Sequence, residues 1–192
     1  MWGRTALPGS FGRVHAEAMR ALVTYGSKRG GTAELAEMLA AALRSRFLEA
    51  DVIPAAFVDS LDGYDVVIVG GALYADRWHR DARRFVRRHR DALRSRQVWL
   101  FSSGPLGDAY QSPDIPPVRQ VAALARQIGA RGHVTFGGRL DARATGLVAH
   151  GLAATMAGDW RDPAAIDRWA AGIVGQLAAP AAFGLRREAA QN

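Results

Sequence analysis

The residues with the clearest chemical capacity lie between positions 22 and 39, LVTYGSKRGGTAELAEML. An apolar run over 21–24 feeds a short polar loop over 25–31. A helix-forming stretch follows at once, with Thr32 in its first turn. That order aims hydroxyls and free backbone N–H groups at one point, at the positive end of a helix dipole, where an anion can sit. The contributing residues are Ser27, Lys28, Arg29, Gly30, Gly31 and Thr32. The loop is not G-x-x-x-x-G-K-[ST], because its lysine precedes the glycines, and it is not G-x-G-x-x-G. The set suits one terminal phosphate better than a triphosphate or a pyrophosphate. The plainer alternative is a Gly/Ser turn that only caps a helix.

Ligands of open α/β sheets bind at the carboxyl ends of the strands. Three loops here leave such ends: 25–32, 71–79 and 102–110. The second carries Gly71, Ala72, Leu73 and Tyr74, and the third Ser102, Ser103, Gly104 and Tyr110. Tyr74, Trp78 and Tyr110 have rings that could stack on a planar ligand. Trp78 equally suits anchoring the helix that follows, and Tyr110 packing over the next one. Gly71, Ala72, Ser103 and Gly104 are small enough to bring backbone groups close to a ring edge. His79 sits where the second loop meets its helix, placed either to relay protons or to cap. His89 falls on an apolar helix face and reads as a core-edge residue. No paired carboxylates show acid/base spacing.

The bulk composition narrows the classes. A chain of 192 residues, nearly half apolar, supports one domain with a sizeable core. No cysteine is present, so disulfides, thiolate catalysis and cysteine metal sites are excluded, and no metal is expected. No apolar run is long enough to span a bilayer, and no signal-like start is seen, so cytoplasm is the default. The net charge of +7 resides in residues 77–96, which hold nine arginines and two aspartates. That segment reads either as a solvated arginine-rich helix face or as an electrostatic footprint.

Residues 1–18 lack periodicity and read as a mobile extension, with Met19 as a candidate true start. The expected domain covers 19–179, and 180–192 reads as a frayed tail. Strands are expected near 19–24, 51–53, 66–71, 97–102 and 133–136. Helices are expected over about 31–47, 80–95, 116–128 and from Pro163 onward. Leu35, Met38, Leu39, Ala42 and Leu43 share one face of the first helix. Asp162-Pro163 starts the last helix well, with a capping carboxylate before proline at the first position. Segment 141–157 is irregular. Alternating strands and helices predict a three-layer α/β sandwich with a five-stranded parallel sheet.

The spacing of Tyr25, Ser27, Gly30, Thr32, Ala36 and Leu39 resembles the flavodoxin family signature. Thr24 departs from it, since the family prefers a larger apolar residue there. Tyr64-Asp65 before a Val/Ile strand, the GGALYADRWH loop and the GDWRDPAAIDRWA segment extend the likeness over about 20–177. They look like the branch containing menaquinone-dependent protoporphyrinogen IX dehydrogenases and actinobacterial flavodoxin-domain proteins. The resemblance implies a flavodoxin-like fold. It also implies non-covalent FMN, with its ring between the second and third loops.

The expected function is therefore that of an FMN oxidoreductase, passing electrons from protoporphyrinogen IX or a similar reduced substrate to a quinone. Arg77, Arg80 and Arg83, with Trp78, would meet substrate carboxylates or an anionic membrane surface. The alternative is a soluble flavodoxin-type electron carrier without its own substrate site. Such carriers are usually acidic, and the basic segment weighs against this reading. A domain that has lost FMN is a further alternative, disfavoured by the complete phosphate loop. Nucleic-acid binding is not expected, because no reading motif accompanies the arginines. Oligomeric state is left open.

Overall fold

The computed structural model describes residues 19–28, 30–104, 115–140 and 158–179. The extension over 1–18, the tail over 180–192 and the segment 141–157 lie outside the described residues.

Five strands form the expected parallel sheet: β1 (Arg20–Gly26), β2 (Glu49–Pro54), β3 (Val66–Tyr74), β5 (Gln97–Ser103) and β6 (Gly132–Phe136). Their order is β2-β1-β3-β5-β6, so strand order reverses at β1. A short β4 (Arg77–Trp78) pairs antiparallel with the end of β3. Val66, Val67, Ile68 and Val69 of β3 are all fully buried, as a β-branched run covered on both faces requires. Pro54 ends the edge strand β2, where no ladder donor is needed.

The alternation of side chains builds two cores. Ala21, Val23, Ile68, Trp99 and Phe101 face α1 (Gly31–Arg44) and the last helix, α5 (Pro163–Ala178). Leu22, Val67, Val69, Val98 and Leu100 face α2 (Arg80–Arg88), α3 (Arg90–Arg94) and α4 (Arg119–Ile128). On α1 the buried positions include Leu35, Leu39 and Leu43, with Met38 and Ala42 partly covered. Asp162 Oδ1 accepts from the Ala164 N–H at 2.9 Å with Pro163 beside it, as the sequence predicts.

Three expectations change. The single helix over 80–95 is two helices, broken at His89 (φ −102, ψ 18). The carbonyl of Val58 sits at that break, accepts from Arg88 Nη2 and lies 3.3 Å from His89 Nε2. The third helix starts at Arg119 rather than 116, because Pro116-Pro117 disfavours helical geometry in the residues ahead of each proline. The 71–79 loop is a hairpin: β3 runs on to Tyr74 and turns through Ala75 (φ 46) and Asp76 (φ 57). Positive φ at both central residues matches strand twist in two-residue hairpins.

Gly70 lies under the Phe101 ring, and a Cβ there would sit 2.0 Å from Phe101 Cζ. Gly70→Ala is expected to lower the unfolding free energy by about 2 kcal/mol. Urea titration checks this. A change below about 0.5 kcal/mol would mean that the ring does not rest on Gly70.

Candidate functional site

The phosphate-type loop lies at the carboxyl end of β1. A Cβ on Gly26 would meet the Ala82 nitrogen at 2.6 Å, so only glycine lets α2 pack down against the strand end. Gly30 then adopts φ 81 and forms the N-cap of α1 with no side-chain hydrogen bond. Its carbonyl accepts from the N–H groups of Ala33 (2.8 Å) and Glu34 (3.1 Å). The N–H groups of Gly31 and Thr32 precede that first bond and have no acceptor within the helix. A left-handed residue followed by a right-handed one turns successive N–H groups inward as an anion nest. Among the described residues other than its chain neighbours nothing lies within 4 Å of a Cβ built on Gly30, so these leave that side of the helix start open. Where most helices carry an Asp or Ser oxygen, this one carries a bare glycine and an open cradle. Ser27 is half-buried, Lys28 exposed and Thr32 buried in the first turn. Arg29 lies outside the described residues.

The first turn of α1 is braced by the GDWRD segment. The Glu34 carboxylate accepts from Arg139 Nη1 (2.8 Å) and Arg161 Nη1 (2.5 Å). Arg161 also forks onto Asp159. Arg139 belongs to β7 (Arg139–Leu140) and Asp159 to β8 (Gly158–Asp159), which pair antiparallel. The bond from Arg161 holds the carboxyls of Glu34 and Asp159 below their ordinary ranges. Trp160 fits against Gly137, where a Cβ would lie 2.0 Å from the Trp160 carbonyl oxygen. Its N–H donates to the Gly138 carbonyl at 3.0 Å. The segment is thus a latch between the ends of β6, α1 and α5. The Glu34 carboxylate at the start of α1 is neutralised by Arg139 and Arg161, which leaves the dipole available to an anion.

The two loops expected to hold a ring do meet: a Cβ on Gly104 would lie 3.7 Å from Leu73 Cβ. Several of the residues expected there are already committed. Trp78 is 1% exposed, with its ring on Gly71, whose Cβ would lie 2.5 Å from Trp78 Cγ. It therefore anchors the hairpin and is covered from substrate and membrane. The same ring covers Gly71. The Ala72 carbonyl accepts from the His79 N–H at 2.9 Å, and the Gly104 N–H donates to the Phe136 carbonyl at 3.0 Å. The Ser102 hydroxyl accepts from Trp78 Nε1 at 2.9 Å and lies 2.9 Å from His133 Nε2. These groups shape the site from behind. Leu73 and Tyr74 are half-buried at its edge, with the Tyr74 ring edge-on to His79, and Ser103 is buried beside them. Tyr110 lies outside the described residues.

His79 caps α2, its Nδ1 accepting the Asp81 N–H at 3.4 Å. An ion pair of the same Nδ1 with the Asp81 carboxylate (3.5 Å) would need a protonated ring. Burial first, then the charges of Arg80, Arg83 and Lys28, push its pKa down against the pull of Asp81, so the neutral cap prevails. His79 therefore sits in a cap rather than as a free proton relay. Lys28 of the loop and Arg80 and Arg83 of α2 thus act on His79 with the same sign. The arginines divide by role. Arg88 and Arg96 bind loop carbonyls and are structural. Arg77, Arg84 and Arg87 are exposed and have no acidic partner among the described residues, while Arg80 touches Asp81. Arg83 is half-buried, and its Nε lacks a hydrogen-bond partner.

A flavodoxin-domain family model matches residues 22–156. The chain belongs to the flavodoxin-domain family. A comparison with curated sequences gives no match. The fold is similar to the Streptococcus pneumoniae TIGR4 flavodoxin, at 18% identity over 82% of this chain and 99% of that one, with TM-score 0.55. It is also similar to oxidised Flavodoxin 1 from Bacillus cereus, at 18% identity over 81% of this chain and 97% of that one, with TM-score 0.53. Rubredoxin oxygen:oxidoreductase from Desulfovibrio gigas aligns at 14% identity over 83% of this chain but 37% of its own, with TM-score 0.53. FMN is the cofactor that membership of the flavodoxin-domain family indicates. The open cradle at Gly30 fits its single phosphate. Among the described residues no group of three or more metal-type side chains converges, and no helix is long and apolar enough to cross a membrane.

The sequence marks the GDWRD segment as a point of resemblance but not its bracing role, and it does not single out His133. His133 gave no motif, only a polar position in a buried strand. Burial pushes its pKa down to about 4, from an ordinary 6.5. The unfolded chain therefore takes up the proton first as pH falls. Stability should drop between pH 6.5 and about 4 by on the order of 3 kcal/mol. The latch acts in a lower window. Glu34 and Asp159 have depressed pKa values, so their contribution is complete above the ordinary carboxylate range and lost as pH falls through the folded values. Arg161→Leu should flatten only the lower window and His133→Gln only the upper one. Denaturant titrations across pH separate them, and identical profiles for both variants would contradict the assignment.

Proposed function

We propose that this flavodoxin-domain chain is an FMN-dependent oxidoreductase. It would pass electrons from a reduced, carboxylate-bearing substrate, protoporphyrinogen IX or a similar compound, to a quinone. FMN, when bound, supplies acceptance of hydride from the substrate and delivery of electrons to the quinone. The chain supplies position and charge. Ser27, Gly30, Gly31 and Thr32 hold the phosphate, and Leu73, Tyr74 and Ser103 border the ring. The observation that carries the substrate class is the arginine-bearing stretch from Arg77 on the hairpin to Arg84 and Arg87 on α2, all three exposed and without acidic partners among the described residues. It begins at the hairpin that borders the ring loops. Guanidinium groups there match carboxylates bidentately. The same surface suits peripheral contact with an anionic membrane, which would keep a cytoplasmic protein beside a lipid-soluble quinone. The latch supports the reading by neutralising Glu34, so that a dianionic phosphate meets no uncompensated carboxylate at the helix start.

Two measurements test this. Ser27→Ala should weaken FMN binding about tenfold and leave riboflavin affinity unchanged, read by flavin fluorescence titration. Equal losses for both ligands would remove the phosphate role. The double variant Arg77→Gln/Arg84→Gln should raise KM for the porphyrinogen about tenfold with kcat nearly unchanged, and reduce binding to phosphatidylglycerol vesicles. Unchanged KM and unchanged vesicle binding would exclude the arginine surface from both roles. Rapid oxidation of the reduced protein by a redox protein but not by a menaquinone analogue would favour an electron carrier instead.

A further inference from the structure

Trp78, Ser102 and His133 form one hydrogen-bonded line across β4, β5 and β6, buried at Trp78 and Ser102 and half-buried at His133. Trp78 Nε1–H donates to Ser102 Oγ at 2.9 Å, and Ser102 Oγ lies 2.9 Å from His133 Nε2. Trp78 and Ser102 are each 1% exposed. An indole N–H can only donate, so Ser102 is the acceptor in that bond and has one proton of its own to give. A neutral His133 with its hydrogen on Nδ1 takes that proton at Nε2. The opposite tautomer would aim two donors at Ser102 and strand the serine proton. His133 Nδ1 has no partner in either case. The first tautomer thus leaves one unpaired group and the second leaves two, and buried unpaired groups are costly. This assignment comes from the hydrogen-bond network.

The hairpin that carries Trp78 is held by burial of the indole on Gly71, by its pairing with β3 and by few hydrogen bonds besides. β4 is two residues long, and its turn places Ala75 and Asp76 at positive φ. A short hairpin is marginal by itself. Its other ties are the Trp78 N–H to Gln120 Oε1 (3.2 Å) and the His79 N–H to the Ala72 carbonyl (2.9 Å). Trp78 pairs directly with Leu73 across the hairpin, and Leu73 is the residue that meets Gly104. Any shift of the indole therefore moves the contact between the two ring loops.

We propose that the Trp78–Ser102–His133 line sets the separation of the two ring loops, holding Leu73 and Tyr74 at a fixed distance from Ser103 and Gly104. The three are positioning residues, and their effect falls on the ring portion of a flavin, not on its phosphate. The inference rests on the FMN reading above.

Trp78→Phe keeps a ring over Gly71 and deletes the donor. His133→Leu deletes the acceptor, and His133→Gln restores an acceptor oxygen. The test titrates wild type and each variant with FMN and with riboflavin, and records the visible flavin bands. Trp78→Phe and His133→Leu should weaken both ligands equally, by about tenfold, and shift the bands. His133→Gln should stay within about twofold of wild type. Imidazole ¹⁵N shifts of the flavin-free wild type should report an unprotonated Nε2 on His133. Folded variants with wild-type affinity and unshifted bands would overturn the proposal, as would a protonated Nε2. The NMR readout and the ring-retaining Trp78→Phe variant decide the matter even if His133→Leu does not fold. Wild type that binds no FMN would instead overturn the cofactor reading, and the proposal with it.

Discussion

One row of the sheet constrains everything around the site. The parallel register aligns Gly26 with Gly71, Gly71 with Ser102, and Ser102 with Thr135. Small residues fill this row at the carboxyl ends of four strands. The absence of a side chain at Gly26 lets α2 close down beside the phosphate loop. The same absence at Gly71 makes room for the Trp78 indole. Burying that indole requires a partner for its N–H, and Ser102 provides it from the same row. Anion cradle, hairpin and ring loops are therefore consequences of a single register. A one-residue slip would turn Gly71 away from Trp78 and bring Gly70 under it instead.

Much of this was legible in the sequence. The β-branched run at Val66–Val69 identified a central strand, and the helix faces followed from their apolar spacing. The phosphate loop was readable because its residues are contiguous and local. The hairpin was not, because Ala75 and Asp76 are not the Asn-Gly pair that usually marks positive φ. Trp78 had two readings, ring platform or anchor, and only the packing on Gly71 separates them. The latch was out of reach for another reason. Glu34 and Arg161 are far apart in the chain, and nothing local to either announces the pair. The GDWRD residues could be matched as a motif, but their task is visible only where Trp160 meets Gly137.

The charge pattern needs the same distinction between composition and place. Nine arginines in residues 77–96 read as one basic face. In three dimensions Arg88 and Arg96 serve loop carbonyls, which fold the 55–65 connection against α2 and α3. Six of the others are exposed and Arg83 is half-buried, and Arg80, Arg83 and Lys28 all push the His79 pKa down. The positive field is therefore a property of the site's border and not only of the chain's bulk charge.

The central claim is that a single-phosphate flavin occupies the Gly30 cradle. The most direct test is the absorption spectrum of the purified protein, followed by identification of any flavin released on denaturation. A yellow protein that releases FMN, about one per chain, or a colourless one that turns yellow on adding FMN, is expected. A protein that retains no added FMN, or that releases a dinucleotide flavin instead, would contradict it.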